Sequence, residues 1–109
     1  VNLDADTIVM ELEELEQAWV ELDARARELE ELQKPILMQI AMEYRPGTRS
    51  FSEAEAKAMA GNAYRDHVIG MVEARKQANS ARARLNRIKV WIELKRTNAA
   101  SERAMINLR

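Results

Sequence analysis

The sequence holds no cysteine, one histidine, two prolines, three glycines and only two tryptophans, two tyrosines and one phenylalanine among 109 residues. Without cysteine there is no disulfide framework, no thiolate metal site and no cysteine nucleophile, a composition suited to a reducing, cytoplasmic setting. No apolar run approaches the roughly 18 residues of a membrane span. Val1-Asn2-Leu3-Asp4 lacks the basic-then-apolar order of a secretory signal. The length fits one small domain over residues 1–109, and a soluble, cytoplasmic protein is expected, with no membrane partner.

Charge is abundant but segregated. Residues 1–31 carry eleven Asp/Glu against two Arg, residues 32–74 carry five of each sign, and residues 75–109 carry ten Lys/Arg against two Glu. The formal net charge of −1 therefore conceals an acidic start and a basic end.

One stretch is strongly punctuated, Tyr44-Arg45-Pro46-Gly47-Thr48-Arg49-Ser50, where Pro-Gly stops a helix and favours a turn. Ser52 with Glu55 reads as a capping box, and Phe51 before it as a hydrophobic staple. Upstream, Asp4 or Asp6 can cap a first helix. A 3,4 apolar spacing runs through Ile8, Leu12, Leu15, Trp19, Leu22, Ala26, Leu29, Gln33, Ile36 and Ile40. It returns through Ala60, Tyr64, His67, Met71, Ala74, Ala78, Ala81, Leu85, Ile88 and Ile92. Both are helical seams rather than strand patterns. The reading is a helix over about 4–44 with a kink or break near Pro35, a turn over 45–51, and an uninterrupted helix over about 52–106.

The flanking charges set direction. Glu16, Asp23 and Glu30 line one edge of the first seam, and Arg75, Arg82, Lys89 and Arg96 line the matching edge of the second. These rows meet only if the chain folds back on itself, placing Asp23 near Arg75 and Glu16 near Arg82. Large residues then oppose small ones, Trp19 near Ala81 and Leu22 near Ala78. The predicted fold class is all-α: an antiparallel, coiled-coil-like two-helix hairpin whose second helix is the longer. Val9, Val20, Leu32, Leu37, Met38 and Met42 on the first helix, and Val68, Ile69, Val72, Trp91 and Leu94 on the second, remain uncovered by such a pair. Homo-oligomerisation is expected to complete it.

Catalytic signals are missing. Glu-x-x-His pairs, a Ser-His-acid set and a phosphate-cradling glycine loop are all absent. His67 falls opposite Gln33 with Tyr64 a turn away, a polar layer of the kind that fixes register. A non-enzyme without cofactor or metal is expected. The basic end is a different matter. Arg84, Arg87, Lys95, Arg96 and Arg103 surround Trp91, a basic strip with an aromatic residue of the kind that binds single strands through phosphate contacts and base stacking.

The layout, with Phe51-Ser52 opening a long second helix and Trp91-Ile92-Glu93-Leu94-Lys95-Arg96 followed by Ala99-Ala100-Ser101-Glu102-Arg103 near its end, resembles the UvsY-type recombination mediators of tailed phages. The resemblance covers chiefly residues 51–109 and implies an oligomer that binds single-stranded DNA and helps load a recombinase, with a recombination protein as partner. On that reading Arg84, Arg87, Lys95, Arg96 and Arg103 contact phosphates and Trp91 stacks or packs. The alternative is a structural or inhibitory module that binds another protein through apolar surfaces and Glu11, Glu13, Glu14, Glu21 and Glu28.

Overall fold

The computed structural model describes residues 4–108 and is all-helical, with no strand among the described residues. Four helical segments follow one another: α1 (Ala5–Glu31), α2 (Gln33–Tyr44), α3 (Phe51–Ala60) and α4 (Asn62–Asn107), with a 3-10 turn at Arg45–Gly47. The Asp4 carboxylate caps α1 by accepting from the Thr7 N–H at 2.7 Å. This contact holds the Asp4 pKa below its ordinary value.

The Pro35 interruption falls at Leu32, between α1 and α2. Leu32 keeps a right-handed helical conformation, its N–H bonding to Glu28 O at 3.0 Å, and Ile36 N–H bonds to Leu32 O at 2.9 Å. The helix therefore bends rather than ends, because Pro35 removes one ladder donor and its neighbours keep theirs.

Two expectations fail downstream of the turn. The N-cap is Ser50, not Ser52: Ser50 Oγ accepts from Glu53 N–H at 3.2 Å, and the Glu53 carboxylate accepts from Arg49 N–H at 3.1 Å. Phe51 is the first residue of α3, packed with Leu37 and Ile40 against a fully buried cluster of Ala41, Ala54 and Ala58, so Leu37, expected to remain uncovered, is covered within the chain by α3. The helix predicted to run unbroken over 52–106 is divided at Gly61, whose extended backbone (φ −82°, ψ 163°) separates α3 from α4. Glycine's low helix propensity weakens the run here, although Gly70, with the same propensity, stays inside α4.

α1 packs along α4, and later residues of α1 meet earlier residues of α4. Lys89 Nζ reaches Glu16 at 3.5 Å, Arg75 reaches both Asp23 and Glu30, and Gln33 reaches Tyr64. The core between them is thin. Ala26 and Ala78 are fully buried and Leu85 is 4% exposed; small side chains let the two backbones approach closely. The described molecule is a rod of 86 × 22 × 17 Å with a radius of gyration of 24.1 Å, against about 13 Å for a compact chain of this length.

Candidate functional site

Among the described residues, the ion pairs that link α1 to α4 lie along one flank of the contact. Arg75 Nη1 donates to Asp23 Oδ1 at 2.7 Å, while its Nε and Nη2 donate to Glu30 at 3.0 and 2.6 Å. These hydrogen bonds hold the Asp23 and Glu30 carboxyls below their ordinary pKa values and push the Arg75 guanidinium up. The expected Asp23–Arg75 contact is thus present. Glu16 pairs with Lys89 instead of the expected Arg82, whose guanidinium sits 5.5 Å from the Trp19 ring centre.

The polar layer sits further along the same helices. Gln33 Nε2 donates to the Tyr64 hydroxyl at 3.0 Å, and His67 Nε2 donates to the Leu29 carbonyl at 2.9 Å. Since a carbonyl can only accept, Nε2 is the donor in this contact. The histidine contacts the backbone one turn from Gln33 rather than Gln33 itself.

The residues expected to touch nucleic acid all lie on α4, and all are exposed. At 3.6 residues per turn, Arg84, Arg87, Trp91 and Lys95 share one side of the helix. This side lies across the α1-facing stripe from Arg75 and Lys89. Lys95 Nζ stands 5.6 Å from the centre of the Trp91 ring, which is 44% exposed. No described carboxylate lies within ion-pair distance of Arg84, Arg87, Lys95 or Arg103. Arg96 is different, pairing with Glu93 at 3.2 Å along its own helix.

Arg96 and Arg103 continue the α1-facing stripe instead of joining the Trp91 side. Counting along both helices from their cross-contacts puts the start of α1 level with roughly residues 91–100 of α4. The end of α4 therefore runs past its partner, and Leu108 is 88% exposed. Leu94, which the sequence reading did not place among the contact residues, is exposed one turn from Trp91; its spacing from Arg87 and Trp91 carried the signal. Among the described residues, no three His, Asp or Glu side chains gather to hold a metal ion, and no helix is long and apolar enough to cross a membrane.

No known protein family, curated protein or solved structure matches this chain.

Proposed function

We propose that this chain is an antiparallel, coiled-coil-like helical hairpin, completed by self-association, that serves as a non-catalytic accessory protein in nucleic-acid transactions. Its basic α4 side binds single-stranded DNA, in the manner of a cytoplasmic mediator that helps load a recombinase. Arg84, Arg87 and Lys95 contact phosphates beside Trp91, and Arg96 and Arg103 extend the path beyond the start of α1. The observation that carries this reading is the pairing pattern: Arg75 and Lys89 are neutralised by α1, whereas Arg84, Arg87 and Lys95 are exposed without a described carboxylate partner, around an exposed indole.

The test is anisotropy of a fluorescent single-stranded oligonucleotide at two salt concentrations. Binding should weaken with salt, with a logarithmic slope of about 0.7 per phosphate contacted, and Arg84→Glu with Lys95→Glu should reduce that slope. Trp91→Ala should cost about 1–3 kcal/mol of binding if a base stacks on the indole. Absence of binding at low salt overturns the proposal.

A second reading draws on the acidic helix. Glu14, Glu21 and Glu28 recur at seven-residue spacing on exposed positions of α1, without a described cationic partner. They suit a module that binds a basic protein surface. This alternative predicts a protein complex sensitive to Glu21→Lys and no affinity for DNA.

A further inference from the structure

We infer that a second copy of this chain packs against the flank of the rod that carries Asp23, Arg75 and Lys89, leaving the Arg84–Trp91–Lys95 side outward. The inference rests on the self-association part of the preceding proposal and names its surface.

The first reason is area. The chain exposes 8721 Å², whereas a compact chain of its mass exposes about 6,200 Å². The difference, about 2,500 Å², falls at the upper end of what each subunit of an obligate homodimer buries, such interfaces covering about 2,000–5,000 Å² in total. The core cannot make up this deficit, since among the described residues no large side chain is fully buried.

The second reason is the distribution of apolar surface and charge. Val20 and Ala24 share a shallow groove with Asp23, and Val72 and Ala83 share one with Arg75. Val20 is 51% exposed and Val72 58%, so each valine stands uncovered beside a charge, Asp23 or Arg75, already paired within the chain; the remaining charges of the two grooves are of opposite sign, Glu28 and Glu31 on α1 and Lys76 on α4. An isologous interface requires each surface patch to be compatible with itself. A flank whose Asp23, Glu30, Arg75, Glu16 and Lys89 are mutually paired meets that condition. The opposite side does not, because unpaired arginines would face unpaired arginines.

Light scattering on Val20→Asp and Val72→Asp, exposed positions in the single chain, tests the surface, with circular dichroism as the check on helicity. The mass should halve at retained helicity. As a measurement that does not depend on tolerating a buried charge, single cysteines can be placed at Val20, Val72 and Arg84 in this cysteine-free chain. Reaction with a thiol reagent should be slow at the first two positions and fast at the third. An unmodified chain that is monomeric at micromolar concentration overturns self-association altogether. An oligomer with the reverse protection pattern, or with equal reactivity at all three positions, overturns this surface alone. Oligonucleotide binding, read separately, bears on neither outcome.

Discussion

Arg75 grips Glu30 as a fork, Nε and Nη2 each donating to one oxygen of the carboxylate, across the contact between α4 and α1. The third nitrogen of the same guanidinium reaches Asp23, one heptad earlier in α1. Such planar, two-point recognition belongs to arginine and not to lysine. Acid should therefore loosen the molecule. Both carboxyls have depressed pKa values in the folded chain, with Arg75 hydrogen bonding as the leading cause. Their contribution is complete above the ordinary carboxylate values of 3.8 and 4.5 and disappears as pH falls through the lower folded values. Thermal midpoints measured by circular dichroism from neutral to acid pH should fall more steeply for the unmodified chain than for Arg75→Ala. Arg75→Lys should behave like the alanine variant with respect to Glu30.

The packing of α1 on α4 depends on few side chains, so Leu85 should be disproportionately important. Leu85→Ala is expected to cost about 2–5 kcal/mol, read by urea denaturation at fixed protein concentration. At the turn end, Ala58→Leu should cost about 1–3 kcal/mol by overfilling the Ala41–Ala54–Ala58 cluster. Met59→Ala, next to it but exposed, should change stability by less than about 0.5 kcal/mol.

Helix caps offer changes of opposite sign. Ser50→Ala removes the acceptor for Glu53 N–H and should destabilise by about 1 kcal/mol. Gly61→Ser should stabilise by a few tenths of a kcal/mol, because α4 begins without a side-chain cap. A Cβ at Gly61 meets Ala58 O at 3.5 Å and the Tyr44 hydroxyl at 3.7 Å, ordinary contacts. Thermal melts of the two variants should move in opposite directions.

The Gln33–Tyr64 hydrogen bond gives a double-mutant cycle. Tyr64→Phe removes the acceptor for Gln33 Nε2 and should cost about 0.5–1.5 kcal/mol. Combining it with Gln33→Leu should recover part of that loss, since an amide without its partner is worse than an apolar pair. Additive effects in chemical denaturation would show that the two side chains do not interact.

Much of the helical character was written in local residue order. The 3,4 spacing from Ile8 onward, the Asp4 cap and the Pro46-Gly47 break act over a few residues, where backbone sterics and hydrogen-bond valence suffice to decide the outcome. The Asp23–Arg75 contact was legible too, because heptad spacing puts each residue on a definite edge of its helix. The cap was not. Ser50 and Ser52 both have the right chemistry, and the choice fell to Ser50 because Phe51 enters the helix against Ala41, Ala54 and Ala58, a cluster drawn from both sides of the turn.

The candidate binding surface divides in the same way. Its members, Arg84, Arg87, Trp91 and Lys95, follow from helical spacing alone, as does the presence of Arg96 and Arg103 on a different stripe. Which cations are neutralised does not. A long side chain on a helix edge can reach forward or back by a turn, and only the axial offset of α1 against α4 gives Lys89 rather than Arg82 to Glu16. By itself the sequence determined the helices, their stripes and the segregation of charge, all consequences of the 3.6-residue repeat. Tertiary structure decided which glycine of the run, Gly61 and not Gly70, breaks the helix, and which partner each charge takes, because these depend on the distances between helices.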